Sequence, residues 1–224
     1  MKVVPLFVSL ILSAHFVHGV SVVEQTGQFT GFLPLDTGVA DDFELSERSS
    51  IEGIGVWVVD IASDVQDGVI DGWSGLGWGI FENDRGRPGD IVTSGFSPNP
   101  SLSLTGTFEN GGITYETFYV EAVIVGPVVL ESGDFWLSIR EGEWNTEDNA
   151  NSSIGWLLSD GRGISGFVPI EADTLINPEF WDRVPEKATN FQLTGSIVPE
   201  VSNYALWFGF LAFVPVLLWR RVRP

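Results

Sequence analysis

The chain has 224 residues, a hydrophobic fraction of 44% and a formal net charge of −19. All thirty acidic residues but only seven of the eleven Lys and Arg lie between residues 24 and 200, which gives this part a net charge of −23. Nucleic acid and anionic membrane surfaces repel such a protein, so neither is expected as a partner. The chain has no cysteine, which excludes disulfides and thiol nucleophiles.

The N-terminal segment has the organisation of a secretory signal peptide. Lys2 provides a positive charge, residues 3–17 are almost wholly apolar, and the residues up to Gly19 suit cleavage by a signal peptidase. We therefore expect residues 1–19 to be removed by cleavage after Gly19 and the remainder to be exported. The only histidines, His15 and His18, leave with this segment. The mature chain then excludes Cys/His zinc sites and His-dependent triads.

The segment 20–196 carries a hydrophobic pattern with a period of two, which is typical of strands. In residues 50–60, Ile54, Val56 and Val58 fall on one face. In residues 134–140, the odd-numbered positions are Phe, Leu and Ile, and the even-numbered positions are Asp, Trp, Ser and Arg. Further strands are predicted at residues 28–33, 78–82, 91–96, 102–108, 114–121, 122–130, 154–158 and 190–195.

Turn signals separate these strands. Examples are Asn83-Asp84-Arg85-Gly86, Pro88-Gly89 and Asn110-Gly111-Gly112. Many short strands at this spacing predict an all-β fold, here an antiparallel β-sandwich of the jelly-roll kind that forms an extracellular domain over residues 20–196.

Two glutamates, Glu141 and Glu143, allow a glycosidase-type acid pair as a hypothesis. That chemistry needs two carboxyl groups about 5–10 Å apart across a bound sugar. With thirty acids in the chain, a pair two residues apart arises readily by chance. The sequence therefore favours a non-enzymatic protein, and no catalytic residue is assigned.

Oxygen ligands for calcium occur in the loop 83–90 and in a run of four aspartates between residues 60 and 71. Neither stretch has the spacing of an EF-hand. Two arginines in the loop would oppose a cation, so turn formation explains the loop better. No cofactor is assigned, and calcium is the one metal ion that the sequence leaves open.

Trp73 and Trp144 are the candidate glycan contacts. Trp73 follows an Asp-Gly pair, and Trp144 lies in a polar loop, so both are expected to be exposed. Flat rings stack on the apolar faces of sugars. Other tryptophans are expected to fill the core, where large rings dominate burial. They are Trp57, Trp78, Trp136, Trp156 and Trp181.

The C-terminal segment is apolar and ends in a basic cluster. Residues 201–219 contain no charge, and a bilayer core requires about twenty helical residues. Arg220, Arg221 and Arg223 follow at once, and such residues are retained on the cytoplasmic side. The sequence therefore predicts a transmembrane helix over 201–219 with the preceding domain outside. A plain membrane anchor is one interpretation.

Together these features resemble the PEP-CTERM sorting signal of exported bacterial proteins, over the last twenty-seven residues. Val198, Pro199 and Glu200 match the motif, and the helix and arginines match the rest of the segment 197–224; Val201 stands where the family has a second proline. The resemblance implies an exosortase-type membrane protease as partner. It also implies a polysaccharide-exporting bacterium with a Gram-negative-type envelope. The protein would be anchored in the inner membrane during sorting and then reach the cell surface or extracellular matrix.

Landmarks within residues 41–158 also resemble a sandwich domain that recurs in PEP-CTERM proteins, for which no settled activity is implied. They are Asp41-Asp42-Phe43, Gly55-Val56-Trp57, the stretch 80–89 and the stretch 135–139.

The sequence as a whole predicts an exported, non-enzymatic protein of the cell surface or extracellular matrix. The alternative is a carbohydrate-binding, lectin-like module, with or without calcium. Its partner would be an extracellular polysaccharide and its contacts would be Trp73 and Trp144.

Overall fold

A computed structural model describes residues 20–35, 39–62, 67–70, 72–143, 153–160 and 188–199, together with the backbone of 167–169 and 181–183. The predicted signal peptide with Gly19, the loop residue Trp144, and everything from Glu200 onward lie outside these ranges. This includes the expected helix 201–219 and the three arginines.

The described part of the chain is all-β, with antiparallel pairing throughout and no helix. Its strands are β1 (Val20–Gln25), β2 (Phe29–Pro34), β3 (Val39–Leu45), β4 (Ser49–Asp60), β5 (Leu76–Asn83), β6 (Pro88–Ser97), β7 (Ser101–Asn110), β8 (Ile113–Leu130), β9 (Gly133–Glu141), β10 (Ile154–Ser159), β11 (Phe167–Pro169), β12 (Trp181–Arg183), β13 (Ala188–Thr189) and β14 (Phe191–Ile197).

These strands form two sheets that pack as a sandwich, which confirms the expected fold class at that level. Sheet A has the order β1-β14-β4-β8-β7, and β10 extends it by pairing with the end of β4 and with β2 and β13. Sheet B has the order β12-β11-β3-β9-β5-β6.

The core lies between the sheets and follows the period of two. Ile54, Val56 and Val58 on β4 are fully buried, as the alternation predicted. Leu137 and Ile139 on β9 enter the same core from sheet B. Each such side chain contributes about 1.5–3 kcal/mol by burial, so the two central strands hold the sheets together.

The second face of β9 is also buried, and it carries polar residues beside Trp136. Trp136, Ser138 and Arg140 are each at most 2% exposed. The Ser138 hydroxyl donates a hydrogen bond to the Val39 carbonyl (2.9 Å). The Trp136 indole donates one to Asn83 Oδ1 (3.2 Å). Strands covered on both faces lose the simple polar-out pattern.

The predicted strands 114–121 and 122–130 are one strand, β8, with an irregularity inside it. Opposite β8, β4 advances only from Gly53 to Ile51, while β8 advances from Val123 to Val128. Glu52 alone therefore stands opposite the four residues 124–127, and the three surplus residues of β8 bend the strand. Gly126 has φ 85°, a conformation that favours glycine. The division predicted between residues 121 and 122 is wrong, because β8 pairs with β4 without interruption from Thr117 to Val123.

The turns follow the sequence with one exception. Arg85 (φ 56°) and Gly86 (φ 81°) form a two-residue hairpin loop between β5 and β6. Gly111 and Gly112 do the same between β7 and β8. Positive φ at both loop positions is typical of the tight turns that match strand twist. The expected turn at Pro88-Gly89 is wrong, because β6 begins there.

Both ends of the described chain lie at one end of the sandwich. Val20 on β1 is paired with Gly195 on β14, and β14 runs on to Ile197. The Val198 amide then donates a hydrogen bond to the Arg48 carbonyl (2.9 Å) in the connection between β3 and β4. The segments that precede Val20 and follow Val198 therefore start close together.

We expect residues 20–199 to fold on their own as an all-β domain and to be more stable than residues 20–196. The shorter fragment loses the pairing of Ile197 with Ser49 and the bond from Val198 to Arg48. This loss costs about 1 kcal/mol and lowers the Tm by about 2–4 °C. Far-UV circular dichroism and thermal melting test both statements. A helix-dominated spectrum would contradict the fold, and equal Tm values would contradict the role of this terminal pairing.

Candidate functional site: an aromatic face on sheet A

Aromatic side chains collect on the outer face of sheet A, away from the core. Because Val56 and Val58 point inward, Trp57 between them points outward, and its direct partner on β8 is Tyr119. The two ring centroids are 4.7 Å apart. We define the aromatic face as six half-buried rings, namely those of Phe29, Phe32, Trp57, Phe108, Tyr115 and Tyr119.

The Tyr119 ring lies down across the sheet because Gly55 leaves room for it. A Cβ at Gly55 would fall 2.5 Å from the ring carbon Cζ, far inside van der Waals contact. The phenol reaches β14, where its hydroxyl donates a hydrogen bond to Gln192 Oε1 (3.3 Å). Burial raises the pKa of Tyr119, and the charges of Glu121 and Glu24 raise it further. The hydroxyl therefore stays protonated at neutral pH.

Rings from opposite sides of sheet A meet above its outer face. The Phe32 and Tyr115 centroids are 5.4 Å apart, and those of Phe29 and Phe108 are 6.4 Å apart. In the sheet order, β10 and β4 lie between β2 and β8, and three spacings of a flat sheet amount to about 14 Å. Contact therefore requires the sheet to curve toward its outer face. The aromatic face is concave.

A row of polar side chains borders the Trp57–Tyr119 pair. Register places Glu24, Gln192, Gly55, Glu121 and Ser101 side by side on five neighbouring strands. Glu24, Glu121 and Ser101 are exposed, and Gln192 is half-buried. The row spans about 19 Å across the sheet and offers carboxylate, amide and hydroxyl groups beside the rings.

The structure does not give Trp73 the exposure that the sequence predicted. Trp73 is half-buried and packs against the hydrophobic core, and its indole N–H has no hydrogen-bond partner among the described residues. Trp78, Trp136 and Trp156 are buried, as expected. The expectation that Trp57 fills the core is wrong, because it belongs to the outer face.

The sequence did contain a signal for this face. Tyr115, Thr117, Tyr119 and Glu121 alternate with the buried residues of β8. A strand whose second face carries two tyrosines is unusual for a face in contact only with water. The strand was predicted, but only the register between β4 and β8 places its second face beside residues 55–57.

The Glu141 carboxylate binds backbone and side-chain donors of two loops, and it is not arranged as an acid pair with Glu143. Its Oε1 accepts hydrogen bonds from the Ser74 amide (3.2 Å) and hydroxyl (3.4 Å), and its Oε2 accepts one from the Ser153 amide (2.7 Å). Glu141 is 3% exposed, whereas Glu143 is exposed. The carboxylate therefore joins the connection before β5 to the start of β10.

The loop 83–90 uses its oxygens for the turn. Asn83 Oδ1 accepts hydrogen bonds from the Gly86 amide (2.8 Å) and from the Trp136 indole. Asp84 and Arg87 exchange two backbone hydrogen bonds. In the described ranges, no group of three or more His, Cys, Asp or Glu is arranged to hold a metal ion.

A buried carboxylate, Asp41, connects the two sheets. Its Oδ2 accepts hydrogen bonds from Gln25 Nε2 (2.6 Å), the Thr189 amide (2.5 Å) and the Thr189 hydroxyl (2.9 Å). Asp41 lies on β3 of sheet B, and both partners lie on sheet A. Burial raises its pKa to about 7, because desolvation outweighs the hydrogen bonds from Thr189.

We expect Asp41 to make the domain less stable as the pH rises. Its pKa is 3.8 when unfolded and about 7 when folded, so the folded state keeps a proton that the unfolded state has lost. The resulting stabilisation is complete below pH 3.8 and is lost as the pH rises through 7, with a size of the order of a few kcal/mol. Urea unfolding between pH 4 and 7 measures this change.

The control for this experiment is Asp134→Asn, which removes an exposed carboxyl from β9. Asp41→Asn should flatten the decrease in the free energy of unfolding between pH 4 and 7, whereas Asp134→Asn should leave it nearly unchanged. Equal pH dependence in the two variants would show that general charge repulsion, and not Asp41, causes the decrease.

Removing the Glu141 carboxylate should destabilise the domain by about 1–3 kcal/mol, because buried donors at Ser74 and Ser153 lose their acceptor. The variant Glu141→Ala tests this, with Glu143→Ala as the exposed control. Chemical denaturation should separate them by this amount. Similar stability in both variants would mean that the two loops do not depend on the hydrogen bonds to the Glu141 carboxylate.

The comparisons with known proteins give no relative. No protein-family model matches the chain, and neither the curated proteins nor the solved structures include a significant match. Within the ranges that the structure describes, no helix is long and apolar enough to cross a membrane; the segment 201–219 is outside those ranges.

Proposed function

We propose that the protein is an exported, non-enzymatic protein of the cell surface or extracellular matrix, delivered by a PEP-CTERM tail. The observation that carries this proposal is the pairing of Val20 with Gly195. Because of this pairing, the predicted leader and the predicted membrane segment join the domain at the same end of the sandwich. Both segments can then meet one membrane while the rest of the domain extends away from it.

We also propose that the sandwich is a jelly roll. That fold consists of two four-stranded sheets built from two Greek keys. Without the accessory strands, the order here is β1-β14-β4-β8 in one sheet and β3-β9-β5-β6 in the other. Along these eight strands the chain changes sheet six times: between β1 and β3, β3 and β4, β4 and β5, β6 and β8, β8 and β9, and β9 and β14. This repeated crossing supports the assignment.

The tail acts as an address that an exosortase-type protease reads. Val198 is tied to Arg48, while Pro199 is exposed. Proline fixes its own φ and disfavours a helical conformation at the residue before it, so the backbone enters Glu200 extended. The helix 201–219 and Arg220, Arg221 and Arg223 would hold this segment in the inner membrane until the domain is released to the surface.

The non-enzymatic assignment is supported by the use of the acids. Glu141 and Asp41, two strongly buried carboxylates, bind loop and sheet donors within the protein. The described acids thus serve the fold or line its surface. An exported protein that carries out no chemistry would act by binding, by display or by filling a matrix.

Replacing both Pro199 and Glu200 by alanine should abolish release and leave membrane insertion intact. Insertion requires only apolar length and flanking charge, whereas a protease must recognise the motif. The measurement is the size and location of the protein in its host, by immunoblot of membrane and released fractions. The matched control replaces Ser202 and Asn203 by alanine, two substitutions in the adjacent spacer.

The same immunoblot in a host without its exosortase completes the test. Wild type should then accumulate at full length in the membrane, like the Pro199/Glu200 variant. If wild type and variant have the same size and the same release, the segment is a plain anchor and the proposed sorting role is wrong.

A further inference from the structure

We infer that the aromatic face of sheet A is a binding site for a neutral, hydroxyl-rich polysaccharide. The inference does not rest on the sorting tail, because the face belongs to the folded domain alone. It commits to a site formed by the rings of β2, β4, β7 and β8, with Trp57 and Tyr119 at its centre and Gln192 of β14 beside them.

The first argument is the arrangement of the rings. Trp57 and Tyr119 are half-buried on a strand face, with Val59 fully buried beside them. Tyr119 lies flat because Gly55 has no side chain, and Phe32 lies over Gly155 in the same way, 2.7 Å from the position of a Cβ. The Trp57 ring is inclined by 51° to the Tyr119 ring, so the central pair forms a shallow, angled surface. Such a surface suits the broad apolar face of a pyranose ring better than it suits a deep-seated ligand.

The second argument is length. Tyr115 and Tyr119 are half-buried on the outer face of β8, with the buried Thr117 between them, and the four-residue step from one tyrosine to the other spans about 14 Å. With the Trp57 ring beside Tyr119, the face is an elongated and concave track. Its shape fits several consecutive units of a polymer rather than one monosaccharide.

The third argument is the polar row next to the rings. Glu121 and Glu24 are exposed carboxylates that accept hydrogen bonds, and Gln192 supplies an amide. Sugar hydroxyl groups are donors that such acceptors can bind. The same carboxylates repel uronates, sulfated glycans, phospholipid headgroups and nucleic acid. Charge complementarity therefore selects an uncharged polymer.

The rings could instead serve only to cover Val59 and Leu157, which are fully buried. Substitutions that keep this cover but remove the flat ring distinguish the two roles. Trp57→Leu retains an apolar side chain of substantial volume, so the fold survives while stacking is lost. Tyr119→Phe retains the ring and removes only the hydroxyl. If the rings served only as a cover, both variants would behave like wild type in a binding assay.

The experiment is affinity electrophoresis of the full-length protein in mild detergent. The gels contain hydroxyethyl cellulose, dextran or galactomannan as neutral polymers, and alginate as the anionic comparison. Wild type should be retarded by at least one neutral polymer and not by alginate. The apparent Kd obtained from retardation should rise by about tenfold in each of three variants, Trp57→Leu, Trp57→Ala and Tyr119→Ala. Tyr119→Phe should raise it far less.

The matched control is Leu104→Ala. Leu104 is 54% exposed and lies on β7 opposite Phe118, on the other side of the sheet from Tyr119. Its removal is a loss of exposed apolar surface outside the site, so retardation should stay within twofold of wild type. Circular dichroism of every variant verifies the fold.

Several outcomes would overturn the inference. Absence of retardation by all three neutral polymers is one, and retardation by alginate as strong as by a neutral polymer is another. Wild-type binding by Trp57→Leu and Tyr119→Ala would reduce the face to a structural cover. Loss of self-association in these variants during sedimentation, without glycan binding, would make the face a contact between copies. The Pro199/Glu200 release assay is unaffected by any of these results.

Discussion

The structure depends on β4, which is confined on all four sides. One edge pairs with β14 and β10 and the other with β8. Its inner face supplies Ile54, Val56 and Val58 to the core. Its outer face supplies Trp57 to the aromatic face, with Gly55 and Val59 on either side of it. The same strand therefore sets the register of sheet A and the position of the candidate site. A one-residue slip would exchange the two faces and destroy both.

Buried hydrogen-bonded acids provide cross-connections in a domain without cysteine. Asp41 joins sheet B to sheet A through Gln25 and Thr189, and Glu141 joins two loops at one end of the sandwich. Leaving such a group without its partners costs more than the bond itself contributes, because a buried charge or donor remains unpaired. These contacts therefore specify which strands and loops meet. The high net negative charge is distributed over the surface, but these carboxylates belong to the framework.

The sequence predicted the strands that have a regular alternation of apolar residues, such as β4 and β9, and several with a weaker pattern, such as β2 and β10. The strands that the sequence missed form for reasons other than local alternation. Asp41 and Asp42 interrupt β3, and only the partners on sheet A make a buried aspartate tolerable there. β13 has two residues and exists because Thr189 pairs with Leu158 of β10. The expected exposure of Trp73 was wrong, because proximity to an Asp-Gly pair says nothing about what packs beside a ring.

The sequence by itself determined the all-β class, the sandwich of two sheets and the absence of disulfides, because these follow from local alternation, turn residues and composition. It also contains the apolar ends and the motif of Val198, Pro199 and Glu200. Only the tertiary structure decided that Trp57 and Tyr119 are neighbours, 62 positions apart in the chain. It also decided that Val20 and Gly195 are adjacent and that sheet A curves toward its aromatic side. Such relations depend on register and twist between distant strands, and no local pattern in the chain encodes either of them.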